Sequence, residues 1–257
     1  MLALVGIVAT LWLALTDRLG LYIHPRYFWF TVVMAVIGAV LAVAAFAVAP
    51  LDDEHDEHDV HDESDLAAPA SSRHGHADAT RAAPERTRAV LAVAIVVTAA
   101  VALLVLPPAT LTSATATQRS LNSGGSAGAD PSVPTLVGAD TSEFTVRDWA
   151  LLLRQNPDPA QYADADVDVT GFVLASPDDP ENVFYVARFV VTCCAVDAQP
   201  VGVPVYLPGW QEEYDVDQWV EASGALAANL TESDEETLVL VPEQLTVVEE
   251  PSQPYVY

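Results

Sequence analysis

The only two cysteines of the chain, Cys193 and Cys194, are adjacent, and Asp197 follows them by three residues. Thiolates and carboxylates are ligands for zinc, and neighbouring thiols can also form a strained vicinal disulfide. Because side chains alternate between the faces of a strand, the two sulfurs converge with Asp197 only if the strand ends at Thr192. Three interpretations stay open here: a metal site, a redox pair, or two small buried side chains at a strand end.

A second group of metal-binding side chains lies in the acidic linker of residues 51–88. Five of the six histidines alternate there with carboxylates, namely His55, His58, His61, His74 and His76. Imidazole and carboxylate together suit zinc, although the same composition is typical of a solvated, disordered segment. We predict weak, multisite metal capture, because ordering such a segment around one tetrahedral ion would cost about 1 kcal/mol or more per residue.

Three apolar runs, residues 1–16, 27–49 and 89–106, predict transmembrane helices. The second run has 23 uncharged residues, which as a helix span about 34 Å and exceed a hydrocarbon core of about 30 Å. The first run lacks the basic start of a signal peptide, so we interpret it as a retained helix. The prediction is a multi-pass protein of the cell membrane, in contact with lipid.

The charge of the chain excludes two classes of partner. The net charge is -26 and all ten basic residues are arginine, so neither nucleic acid nor anionic headgroups would bind the polar part. Arginines near the helix ends favour residues 51–88 on the inside of the membrane, with the C-terminal domain extracytoplasmic.

The C-terminal part predicts a small β-rich domain. Residues 111–134 are small and polar and are typical of a flexible tether. In the domain at 135–250, Thr145 and Asp148 signal the start of one helix, and five segments have strand composition. Five strands with one helix favour an OB-like five-stranded barrel, followed by a tail at 251–257.

Four stretches carry a resemblance to a known family: "LYIHPRYFWFT", "ARFVVTCCAVDAQPVGVPV", "QWVEASGAL" and "PSQPYVY". Together they resemble the YcgQ-like family of bacterial permease subunits, which have membrane helices and a C-terminal domain of unknown function. The family pattern has Ala-Asp-Ala where this chain has Val196-Asp197-Ala198, so Asp197 is kept. The resemblance implies a multi-pass membrane permease as partner. In the motif, His24 and Arg26 flank the proline that opens the second helix; we hypothesise that they contact the permease or its substrate path, the alternative being interfacial residues.

These observations predict a membrane-embedded accessory subunit of a permease that is linked to zinc transport or handling. The alternatives are a membrane-tethered metal-binding or metal-sensing protein without a transport role, and a thiol-redox protein that uses the vicinal cysteines. The carboxylates form no recognisable catalytic constellation, so we do not expect an enzyme. Three helices rarely enclose a pore, so we expect a partner or a homo-oligomer.

Overall fold

In a computed structural model, the structure describes residues 2–48, 94–98, 101–102, 109–123, 135–136, 140–163, 165–229 and 237–257. The chain divides into two units. The first comprises Met1–Trp12 and Val32–Pro107, and the second comprises Leu13–Thr31 and Pro108–Tyr257. The second unit contains Cys193, Cys194 and Asp197. The linker 51–88 with its five histidines lies outside the described residues, so its metal capture stays a prediction.

Two apolar helices begin the chain: α1 spans Leu2–Leu15 and α2 spans Phe28–Val48. The stretch Pro25–Ala44 is the one helix in the described part of the chain that is long and apolar enough to cross a membrane. Helix α1 has 14 residues and reaches only about 21 Å, short of a hydrocarbon core of about 30 Å. Of the third predicted helix, only residues 94–98 and 101–102 are described, and they are helical. The structure therefore supports one of the three predicted spans.

Two further helices belong to the second unit: α3 spans Ser113–Ala116 and α4 spans Val146–Gln155. Helix α4 begins as the sequence predicts. The Asp148 carboxylate accepts the Thr145 N–H at 2.8 Å, and the Thr145 hydroxyl accepts the Asp148 N–H at 3.4 Å. This capping box satisfies two backbone groups at the helix start and fixes where the helix begins. Trp149 and Leu152 then bury the apolar face of α4.

The strands form one six-stranded mixed sheet, where we predicted five strands. They are β1 Val167–Ala175, β2 Val183–Val190, β3 Gln199–Tyr206, β4 Trp219–Ala228, β5 Leu238–Val247 and β6 Tyr255–Val256. Four of the first five lie within the predicted segments, whereas β3 begins at Gln199, two residues before the predicted segment at 201–207. The sixth lies in the predicted tail, where it pairs in parallel with Phe189 and Val190 of β2. A two-residue strand carries no alternation, so no sequence pattern indicates it.

Strand β1 has two partners, which bends the sheet round on itself. Its first residues pair with β4 and its last residues pair with β2, so the pairings run in the cycle β1-β4-β5-β3-β2-β1. The change of partner falls at Phe172, which pairs with both strands, and an added Cβ at the preceding Gly171 would lie 2.4 Å from the Ala187 carbonyl oxygen. Only glycine permits this close approach of β1 to β2.

The residues after position 108 pack against the sheet, which corrects part of the predicted tether at 111–134. Ala116 is 2% exposed within a cluster that contains Phe172 and Phe189. Asn122 is hydrogen-bonded to β3 through its side chain, which donates to the Gly202 carbonyl at 3.1 Å and accepts the Gly202 N–H at 2.8 Å. Residues 111–123 are therefore part of the β domain. Residues 124–134 lie outside the described residues.

Candidate functional site

The two cysteines lie in a tight turn between β2 and β3, which we call the cysteine turn (residues 192–197). Strand β2 ends at Val190, and a 3-10 turn spans Ala195–Asp197. The Asp197 carboxylate accepts the Thr192 N–H at 3.1 Å and the Cys193 N–H at 2.8 Å. Aspartate commonly closes a turn in this way, by accepting nearby backbone N–H groups. One aspartate therefore fixes the backbone from which both thiols project.

The turn brings the three predicted ligands together. The sulfurs of Cys193 and Cys194 lie 3.4 Å apart, and the two sulfurs and an Asp197 oxygen all lie within 4.8 Å of one another. Both cysteines are free thiols; Cys193 is exposed, whereas Cys194 is partly buried. The strand ends before the cysteines, so the alternation that would separate the sulfurs does not apply. The arrangement can chelate a small cation through two sulfurs and one oxygen.

The electrostatics of the turn keep one thiol protonated. A hydrogen bond to the Asp197 carboxylate, with a further one to Cys194, raises the pKa of Cys193 from 9.0 to about 12. Burial alone would raise the pKa of Asp197, but hydrogen bonds from the Cys193 thiol and from the N–H groups of residues 192–194 lower it overall. Asp197 is thus an anion that holds the thiol proton. A bound cation would replace that proton.

The segment between α1 and α2, which we call the interhelix loop (residues 16–27), lies directly on the cysteine turn. Ile23 pairs with Cys194 in an antiparallel bridge. The His24 N–H donates to the Cys193 carbonyl at 3.0 Å, and the Ala195 N–H donates to the Tyr22 carbonyl at 2.9 Å. These backbone hydrogen bonds flank Cys194, the first at the carbonyl before it and the second at the N–H after it. The interhelix loop therefore helps to set the positions of both sulfurs.

The His24 ring packs beside the turn but is not arranged as a metal ligand. Its Nδ1 accepts the Arg26 N–H at 3.0 Å, so in the neutral ring Nε2 carries the proton. The ring meets Tyr257 edge-on at 4.7 Å, and the Tyr257 hydroxyl donates to the Gly20 carbonyl at 3.1 Å. Burial and the nearby Arg26 lower the pKa of His24, against a smaller opposing effect of Asp197.

The sequence did not indicate two residues that support the turn. Tyr257 packs against His24, and the Arg119 guanidinium donates through Nη2 to the Val196 carbonyl at 3.2 Å. Both contacts join residues more than 70 positions apart, which no local pattern reveals. The predicted roles of His24 and Arg26 toward a permease stay predictions. In the structure, the His24 N–H donates to the Cys193 carbonyl, and the Arg26 N–H donates to the His24 Nδ1 atom.

The fold and the site together define a protein with an apolar helical N-terminal segment and a six-stranded β domain that presents a Cys-Cys-Asp turn. Residues 1–122 match the DUF1980 N-terminal domain, and residues 142–257 match the DUF1980 C-terminal domain. The two matches follow one another along the chain and leave residues 123–141 between them.

The chain is also similar to a protein of Streptococcus mutans serotype c that is named "Putative two-component membrane permease complex subunit". The two are 30% identical over 100 residues, which cover 38% of this chain and 36% of that relative. No solved structure matches the chain. The predicted resemblance to bacterial permease subunits is confirmed at this level, although none of these matches carries the YcgQ-like label. The name of this relative and the apolar helix α2 together indicate that the chain associates with a membrane.

Proposed function

We propose that the chain is a membrane-embedded accessory subunit of a permease, and that its cysteine turn captures zinc for that partner. The support for a permease partner is the relative whose name describes a subunit of such a complex, together with the apolar stretch Pro25–Ala44. We assign the cysteine turn a binding role, because a Cys193 thiol that Asp197 keeps protonated is a poor nucleophile.

One observation carries the zinc proposal: two sulfurs and one carboxylate oxygen lie within 4.8 Å of one another. With Zn–S distances of about 2.3 Å, the sulfurs of a tetrahedral zinc site lie about 3.8 Å apart. The Sγ–Sγ distance of 3.4 Å is already within a few tenths of an ångström of that value. Zinc binding would therefore need only side-chain adjustment on a backbone that Asp197 and the interhelix loop hold in place.

The raised pKa of Cys193 favours metal capture over redox chemistry. At pH 7 a thiol with a pKa of about 12 is ionised to only about one part in 10⁵, and disulfide exchange depends on the thiolate that is present. A coordinating zinc ion instead deprotonates its thiol outright. Zinc affinity should therefore rise with pH, since each bound thiolate releases a proton.

Three ligands leave a fourth position open, which suits transfer rather than storage. His24 does not fill it, because its Nδ1 already accepts the Arg26 N–H. We assign the fourth ligand to water in the free subunit and to a side chain of the permease in the complex. The alternative function, metal sensing without a transport partner, would need no such second ligand donor.

The test is zinc binding by the full-length protein in detergent, followed by competition with a chromophoric chelator. We expect one tight site that is lost in Cys193→Ser and Cys194→Ser and weakened in Asp197→Asn. Exposed Asp168 offers a matched control: Asp168→Asn removes the same charge and should bind zinc like the wild type. Deletion of residues 52–76 separates the linker histidines from the turn. Tight zinc binding that survives both cysteine substitutions would refute the proposal, and co-purification of a permease distinguishes transport from sensing.

We further infer that the chain crosses the membrane three times and that the cyclic strand pairing closes as an OB-like barrel. The interhelix loop and residues 108–257 belong to one unit, so they lie on the same side of a membrane. If α2 crosses, the chain must cross back before residue 108, and residues 89–106 supply that helix. Parity thus requires only the third run to cross with α2. We assign α1 as a further crossing, and the arginines near the helix ends favour the extracytoplasmic side for the domain.

The chain offers a direct test of this topology because it contains no lysine. A lysine introduced at exposed Val216 or at Ser71 in the linker is then the one side-chain amine. A membrane-impermeant amine reagent applied to intact cells should label Val216→Lys and spare Ser71→Lys. Equal labelling of the two variants, relative to the N-terminal background of the wild type, would contradict this topology.

A further inference from the structure

A cavity lies away from the thiols, between residues 116–123, the end of β1 and the beginning of β2. Its volume is about 850 Å³, which is within the range of small-molecule sites. Leu174 and Tyr185, each 6% exposed, are cross-strand partners in its wall, and Ala116 and Leu121 lie in the wall as well. The cavity therefore offers an apolar surface of the size of a small organic molecule.

Two of the four arginines in residues 110–257, Arg119 and Arg154, also line this cavity. Each is fixed by one backbone contact: Arg119 donates through Nη2 to the Val196 carbonyl, and Arg154 donates through Nη1 to the Asn122 carbonyl. A guanidinium has five N–H donors, so both retain donors for a ligand. The Nη1 atom of Arg119 is buried without a hydrogen-bond partner in the described structure, which is costly unless something accepts from it.

This concentration of positive charge is unusual for the domain. Residues 110–257 contain 24 acidic residues against four arginines, yet among the described residues Asp178 is the one acidic residue in the cavity wall. The other two arginines do not line the cavity: Arg188 donates to the Gln253 and Pro254 carbonyls, and Arg147 donates to the Tyr257 carbonyl. Two arginines and one aspartate give the wall a net charge of about +1, which matches a single negative charge.

We propose that this cavity binds a small organic monocarboxylate with an apolar body. The carboxylate pairs with the guanidinium groups of Arg119 and Arg154, which match its planar geometry, and the body packs on Leu174 and Tyr185. A phosphate dianion fits less well, since the wall neutralises one charge and is otherwise largely apolar. This site is independent of zinc capture, although Arg119 connects it to the cysteine turn through Val196.

The experiment is titration calorimetry on the full-length protein in a non-ionic detergent. The probes are hexanoate, phenylacetate and indole-3-acetate, each beside its neutral amide, and inorganic phosphate. We expect at least one carboxylate to bind with a Kd below about 1 mM and its amide to bind about tenfold more weakly or worse. Arg154→Gln and Arg119→Gln should each weaken that carboxylate about tenfold. Arg147→Gln is the matched control: it removes a charge from the same helix without touching the cavity, and should bind within about twofold of the wild type.

Thermal unfolding shows whether Arg119→Gln disturbs the fold. If it does, Arg154→Gln still tests the proposal, because Arg154 is exposed and its replacement should leave the fold intact. The proposal is overturned if no carboxylate binds below about 1 mM, or if a carboxylate and its amide bind equally. It is also overturned if Arg154→Gln and Arg147→Gln have the same effect. Inorganic phosphate that binds more tightly than every carboxylate would overturn the assignment of the ligand.

Discussion

Removing the charge of Asp197 should make Cys193 far more reactive. The hydrogen bond to Asp197 is the largest cause that raises the pKa of Cys193 from 9.0 to about 12. At pH 8 the thiolate fraction is about 10⁻⁴ for a pKa of 12 and about 0.1 for a pKa of 9. The Thr192 and Cys193 N–H groups bond to different oxygens of Asp197, so Asp197→Asn keeps an acceptor for one of them and removes the anion. We therefore expect alkylation of Cys193 to accelerate by about tenfold at least, with an upper limit of about 10³-fold.

The assay measures the rate of alkylation by iodoacetamide against pH, in a Cys194→Ala background that leaves one thiol. Asp197→Asn should shift the apparent pKa of the rate profile downward, whereas Asp168→Asn, which removes an exposed charge away from the turn, should not. Far-UV circular dichroism checks that the turn variant keeps its fold. If Asp197→Asn leaves the profile of the Cys194→Ala protein unchanged, Asp197 does not hold the thiol proton, and the expected pH dependence of zinc binding loses its basis.

Three further predictions concern the stability of the β domain and of the interhelix loop that packs on it. Gly224→Ala would place a Cβ 2.3 Å from the Val241 carbonyl at the β4–β5 bulge, so it should destabilise the domain by about 2 kcal/mol or more, measured by thermal unfolding. Asn122→Ala removes both side-chain hydrogen bonds to Gly202 at a residue with a φ of 58°; we expect a loss of about 1–3 kcal/mol in chemical unfolding. The folded pKa of His24 lies below its usual 6.5, so docking of the interhelix loop contributes stability above pH 6.5 that is lost as the pH falls toward the folded value. The melting temperature should therefore fall less between pH 7.5 and 5.5 in His24→Gln than in the wild type.

The sequence predicted the helix start and the strands around the site, because these elements depend on residues that are neighbours in the chain. The capping box at Thr145 and the strand composition around the cysteines need only neighbouring residues. The docking of the interhelix loop does not: it joins Ile23 to Cys194 across about 170 residues, through backbone atoms that every residue has. The packing of Ala116 and the pairing of Tyr255 depend in the same way on distant partners. The sequence could thus name Cys193, Cys194 and Asp197 as candidate ligands, but not the segment that holds them.

That segment can be tested through a single backbone hydrogen bond. The His24 N–H donates to the Cys193 carbonyl, and the φ of His24 is -56°, which proline adopts without strain. His24→Pro therefore removes the ring and the donor, whereas His24→Ala removes the ring alone. A net hydrogen bond is worth about 1 kcal/mol, so His24→Pro should bind zinc about fivefold more weakly than His24→Ala. The alkylation rate of Cys193 gives a second measure of how firmly the interhelix loop holds the cysteine turn. Equal zinc affinity and equal alkylation in the two variants would mean that the cysteine turn holds its geometry without the interhelix loop, and that α1 and α2 serve only as an anchor.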